Sequence, residues 1–152
     1  MENAISKIND FFDSMEWAYL YDKEGSFYVS EVSLNEAVGE MKLIIFIRPT
    51  SYTVSVIMHD KVKPRFYPQV SEYLHRVNWK LMDGNFDLDF TSGEIHYRTY
   101  VNFKNVQISK EIVRSSILIP FAMFNKYGED LLKLMADFYD PQSLLINTEN
   151  SQ

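Results

Sequence analysis

Over residues 4–15, apolar side chains recur at three- and four-residue steps: Ile5, Ile8, Phe11, Phe12 and Met15, with Lys7, Asn9, Asp10 and Asp13 between them. This spacing predicts an amphipathic helix. Trp17 to Tyr21 reads as extended and aromatic, and Lys23-Glu24-Gly25-Ser26 is turn chemistry. Phe27 to Leu34 predicts a strand, closed by a polar turn over Asn35 to Glu40. Met41 to Arg48 and Tyr52 to His59 then predict a hairpin around Pro49-Thr50-Ser51. With Thr50-Ser51 at the tip, Ile47 faces Val54, Ile45 faces Val56 and Leu43 faces Met58. The opposite face carries Ile44, Phe46 and Ile57 beside Arg48, Thr53 and Ser55. A face turned wholly to water should be more polar, so a helix, another strand layer or a partner is expected to cover it.

In the second half, Phe66, Val70, Tyr73, Leu74 and Val77 mark a helix with one apolar stripe. Pro64 and Pro68 restrict its start and Asn78 is a terminator. Residues 85–103 predict a second hairpin. Phe86, Leu88 and Phe90 lie on one face, and Asn85, Asp87 and Asp89 on the other. A Ser92-Gly93 tip sets Phe90 against Ile95, Leu88 against Tyr97 and Phe86 against Thr99. On the outer face it sets Asp89 against His96 and Asp87 against Arg98. Ser109 is an N-cap with Glu111 in the first turn. Ile112, Val113, Ile117, Phe121 and Phe124 follow at helical spacing, and Leu118, Ile119 and Met123 make this helix apolar around most of its circumference. Pro120 is expected to kink or divide it. Gly128 punctuates, and Leu131, Leu132, Leu134, Met135 and Phe138 form a last helix. One α+β domain is expected over residues 1–141, in the order α-β-β-β-α-β-β-α, its twisted antiparallel sheet packed against helices. Residues 142–152 read as a loose polar tail.

Composition narrows the function classes. The chain has 152 residues, 46% apolar and 24% charged, so it can enclose a core. Its 21 acidic and 15 basic side chains give a net charge of −6. Scattered basic residues and an acidic total disfavour nucleic acid and anionic membrane as partners. The absence of cysteine removes disulfides, thiolate nucleophiles and thiolate-ligated metals. Met1-Glu2-Asn3 lacks the basic-then-apolar order of an export signal. The longest near-apolar run, Ile117 to Phe124, is far below the ~20 residues that span a bilayer. A cytoplasmic protein is expected.

Val77-Asn78-Trp79, Gly84-Asn85-Phe86-Asp87-Leu88-Asp89 and Ser92-Gly93-Glu94-Ile95-His96-Tyr97-Arg98, in this element order, resemble the YbjN-like family. Gly84, Phe86, Asp89, Gly93, Glu94, Tyr97, Arg98 and Ser109 stand where that family's pattern expects them. The motif covers roughly residues 64–125; the first half agrees only in element order. The resemblance implies a fold similar to the type III secretion chaperones, which are small, acidic, mostly homodimeric holders of client segments. It implies sensory or regulatory roles of ill-defined kind. A shared fold does not transfer a function.

Candidate chemistry is sparse. Asp87 and Asp89 could bind metal or share a proton, but with no further oxygen ligand near them they read as a solvated face paired with Arg98 and His96. His59, His75 and His96 are isolated in sequence. No Gly-x-Ser-x-Gly and no phosphate-cradling glycine loop occurs. Asp83-Gly84 reads as a tight connection into a strand before an anion-binding turn. Trp17 and Trp79 read as caps on the core before ligand platforms. The leading functional signal is surplus apolar surface at Ile44, Phe46 and Ile57 on the hairpin and at Ile119 and Met123 on the helix. Either these surfaces cover each other within one chain, or they meet a partner. The reading is a non-catalytic protein-binding module, a regulator or chaperone-like holder that homodimerises. It has no cofactor and no metal. The alternative is a small-molecule-binding sensory domain or weak enzyme, with a pocket between sheet and helices. A nucleic-acid role ranks third.

Overall fold

The computed structural model describes residues 1–151. Helix α1 spans Glu2–Met15 and is followed by strands β1 (Leu20–Asp22), β2 (Phe27–Asn35), β3 (Gly39–Arg48) and β4 (Ser51–Met58). A 3-10 turn at Pro64–Phe66 leads into α2 (Tyr67–Asn78). Strands β5 (Asn85–Leu88) and β6 (Ile95–Asn102) and helices α3 (Lys110–Ala136) and α4 (Pro141–Asn150) complete the chain. The six strands form one antiparallel sheet in the order β1-β2-β3-β4-β6-β5. The α+β class and single-sheet architecture follow the expectation.

One sheet face carries the core. Tyr28, Leu43, Ile45, Val54, Val56, Phe86 and Tyr97 point inward and are almost wholly buried. Helices cover only this side. Phe12 of α1 stacks on Tyr28 at 5.6 Å, and Phe124 of α3 meets Phe86 edge-on at 5.2 Å. Tyr52 and Ser116 share a buried hydrogen bond of 2.7 Å between β4 and α3.

Both hairpins keep the expected faces and change their partners. In the first, Ile47 pairs with Tyr52, Ile45 with Val54, Leu43 with Val56 and Met41 with Met58. The tip is Pro49-Thr50, because Arg48 pairs directly with Ser51. In the second, Phe86 pairs with Tyr97, Leu88 with Ile95, and Asp87 with His96. Asp89 and Glu94 close a four-residue loop, with backbone bonds of 3.0 Å from the Asp89 N–H to the Glu94 carbonyl and 2.7 Å from the Gly93 N–H to the Asp89 carbonyl. Phe90 therefore leaves the core face for the loop, where it is exposed and packs on Tyr67 at 5.3 Å.

Three further expectations are corrected. Pro120 neither divides nor ends α3, which runs unbroken from Lys110 to Ala136. Proline at position 120 deprives the Ser116 carbonyl of its intrahelical donor, and the Thr99 hydroxyl of β6 supplies one at 2.7 Å. Gly128 is no terminator: a side chain there would meet Val38 at 2.7 Å, so it admits the β2–β3 turn against the helix. The tail after Pro141 is helical rather than loose, with Leu145 buried and Leu144 packed against the core.

Candidate functional site

The side chains on the second face of the sheet follow directly from the register. Phe27, Phe46, Thr53 and Tyr100 form one row across β2, β3, β4 and β6. Leu20, Val29, Ile44, Ser55, Arg98 and Asn85 form the next, and Glu31, Lys42, Ile57, His96 and Asp87 the third. No helix crosses these rows. Leu20 is 78% exposed, Tyr100 62% and Phe46 45%. Phe46 leans on Phe27 with ring centroids 5.7 Å apart. The β1–β3 half is thus apolar and open, and the β6–β5 half is polar.

The polar half is internally paired. The Asp87 carboxylate accepts from both Arg98 Nε, at 3.0 Å, and Arg98 Nη2. This is the expected charge pair, made diagonally because the strands are shifted. His96 turns to Glu94 at 2.9 Å, and not to Asp89. Asp89 instead accepts from the Thr91 N–H at 2.8 Å within the loop. That backbone bond is the main reason its carboxyl stays below the ordinary range, with Ser92 adding to it. The two aspartates therefore do not act as a pair. Arg48 Nη1 donates to Thr53 at 3.2 Å.

The five expected contact residues divide. Ile44 and Phe46 lie on the open face. Ile57 lies there too, but its neighbours bury it to 8% exposure, apart from the main core cluster. Ile119 and Met123 sit on α3, on the other side of the sheet, half-buried against the core. Much of the circumference of α3 is taken up by the sheet and by the α1 side, where Trp17 meets Phe121 at 5.3 Å. The two apolar surfaces therefore cannot cover each other within one chain. Leu20, Phe27, Val29 and Tyr100 belong to the open face and were not singled out from the sequence. Their alternation with Tyr28, Ser30 and Thr99 was the signal that could have found them.

Other candidates resolve individually. Trp17 closes the core against Phe11 and Phe121, as expected of a cap. Trp79 does not: it is 85% exposed, beside an open groove between α2 and α4. It falls just past the end of α2, where Asn78 turns inward and leaves Trp79 outside. Gly84 carries a positive φ of 80° and lets the chain pass close to Arg98, as a tight entry into β5. The Tyr97 hydroxyl donates to the Asp83 carbonyl at 2.5 Å across that turn, and burial pushes its pKa up to about 12. The leading depressions, including one between β6 and α3, are open surface grooves. Among the described residues, no helix is long and apolar enough to cross a membrane.

No family model and no curated protein sequence matches the chain. Among solved structures, the chain is similar to YbjN of E. coli, a proposed transcription regulator. The TM-score is 0.54 at 12% sequence identity, over 80% of this chain and 90% of that one. The YbjN fold anticipated from the motifs at residues 77–98 is therefore the fold found.

Proposed function

We propose that the chain is a non-catalytic protein-binding module that works through the open face of its sheet. The observation that carries this reading is the apolar half-face of Leu20, Phe27, Val29, Ile44 and Phe46, which no element among the described residues covers. Large contiguous apolar patches on a folded surface mark interaction sites. Rows of apolar side chains on a rigid sheet suit either a second copy of the chain or an amphipathic segment of a partner. A homodimer is the simplest assembly, and regulation or chaperone-like holding is the corresponding task. The description of YbjN as a proposed transcription regulator fits a regulatory role. Protein contacts suit that role better than DNA contacts here. Lys42, Arg48 and Arg98 on this face are nearly balanced by Glu31 and Asp87, which leaves no basic stripe to follow phosphates.

Light scattering of the purified chain at micromolar concentration tests the reading. The wild type is expected to be a dimer and Phe46→Asp a monomer. Because Phe46 is already half exposed, the substitution should change folding stability by only about 1 kcal/mol. A wild-type monomer that binds no apolar dye on this face would sink the proposal.

A further inference from the structure

The apolar half of the open face has an internal symmetry. On β2 and β3 its rows pair Phe27 with Phe46, Val29 with Ile44 and Glu31 with Lys42. The first row holds two aromatic rings, the second two aliphatic side chains and the third two opposite charges. Glu31 and Lys42 are both exposed and stand directly across from each other. Among the described residues no ion pair joins them, and Asp22 and Arg48 make none either. Asp22 ends the aromatic row on β1, and Thr53 continues it on β4, where Arg48 reaches it.

Sheets packed face to face sit about 10 Å apart, with their strands within about 30° of each other. A twofold axis between two such copies runs either across the strands or along them. An axis across the strands, over the aliphatic row, lays each strand on its own copy. It sets Phe27 over Glu31 and Arg98 over Arg98, which buries a charge against a ring and opposes like charges. An axis along the strands, between β2 and β3, lays β2 over β3 of the second copy and β1 over its β4. Phe27 then meets Phe46, Val29 meets Ile44 and Glu31 meets Lys42, while Asp22 comes over Thr53 and the neighbouring Arg48. Strands β6 and β5 project past the overlap into water, and their Arg98 and Asp87 are already paired within the chain.

We propose that the occupant of the open face is a second copy of this chain, packed sheet on sheet about a twofold axis along the strands between β2 and β3, with Glu31 of each copy paired to Lys42 of the other. The inference rests on the open face being an interface, as proposed above, and adds which strands overlap and which charges decide the fit. The contact is isologous, so each pair occurs twice, once on each side of the axis. The two glutamates and two lysines form a square in which every neighbour has the opposite sign.

Charge reversal in the full chain tests this, read as the dimer dissociation constant from sedimentation over a concentration series. Glu31→Lys gathers four lysines at the axis and Lys42→Glu gathers four glutamates. Each variant alone is expected to weaken the dimer roughly tenfold or more. An equimolar mixture of the two should form a heterodimer at least as tight as the wild type, because every contact across the axis again joins opposite charges. Heterodimer formation also reports that both variants are folded. The chain carrying both substitutions should dimerise like the wild type, which keeps the test decisive if a single variant fails to fold. Single variants that dimerise undiminished, a folded mixture that stays monomeric, or a monomeric wild type overturns the proposal. If the wild-type dimer is dissociated by Phe46→Asp and unaffected by the charge reversals, the open face stands as the interface and only this geometry falls. If the wild type is a monomer whose face binds apolar dye, the face belongs to a different protein and the self-pairing falls.

Discussion

At the scale of single residues, the fold depends on a few side chains that act on backbone. Asn78 is the clearest. Its carbonyl oxygen accepts from the Phe86 N–H at 2.8 Å and its amide donates to the Phe86 carbonyl at 2.9 Å, on the outer edge of β5. One side chain thus supplies the two bonds a neighbouring strand would supply. Asn78→Ala should cost about 2 kcal/mol, because the Phe86 N–H loses its partner and the Phe86 carbonyl keeps only the longer bond from the Asn85 amide; urea denaturation reads this directly. Two glycines offer a matched comparison. Gly84 and Gly39 both have positive φ, 80° and 77°. A side chain at Gly84 would meet the Arg98 carbonyl at 2.3 Å, whereas one at Gly39 meets nothing within 4 Å. Gly39→Ala should therefore cost only about 1 kcal/mol for its left-handed backbone. Gly84→Ala should cost clearly more, since backbone must also move. Equal losses in thermal denaturation would show that the close approach is easily relieved.

At the scale of elements, α3 survives an internal proline because β6 compensates for it. Thr99→Val should leave the buried Ser116 carbonyl without a donor and cost about 1–3 kcal/mol. Pro120→Ala returns an N–H to that carbonyl, so Thr99→Val should cost less in its background. A coupling of about 1 kcal/mol in a double-mutant cycle is the expected result. Pro120 is visible in the sequence, but its compensation is not, since Thr99 is 17 residues from Ser116. The hairpins show a related limit. Alternation identified which face each residue takes, including Ile44 and Phe46 on the open side. It left the partners undetermined, because a slip of two residues preserves every face. Turn length decides between such registers, and both turns differ from those expected: Pro49-Thr50 at the first and a four-residue loop at the second. The Asp87–Arg98 pair tolerates the slip because long side chains on one face also reach diagonally. Ile119 and Met123 are visible in the sequence as apolar positions of α3, but how far the core covers each is set by tertiary packing. Helix α4 was hidden because it has too few apolar residues to show a stripe.

At the scale of the whole molecule, the one-sided arrangement places several tyrosines within the single core. Burial pushes Tyr52 up to about 12, against the weaker lowering by its Ser116 bond, and pushes Tyr97 equally far. Tyr28 and Tyr73 are raised further, chiefly by burial, with neighbouring tyrosines adding for Tyr28 and Asp130 for Tyr73. Groups whose folded pKa is raised contribute stability that is fully present below the unfolded value, here near 10. That contribution is lost as pH rises toward the folded value. Unfolding free energy should therefore hold up to about pH 10 and fall steeply between there and pH 12. Tyr52→Phe should flatten part of that fall. A flat profile across this window, followed by circular dichroism, would contradict the burial of these hydroxyls.

The Asn78 clasp also has a consequence for assembly. With the centre of the β5 edge occupied, a second sheet cannot extend this one there, and β1 is the remaining edge strand. Head-to-tail growth needs two complementary ends and has only one. Any strand-to-strand addition must then join β1 to β1 about a twofold axis, which closes at two copies and leaves nothing to propagate. A single asparagine thus blocks one of the two edges from which sheet growth could propagate.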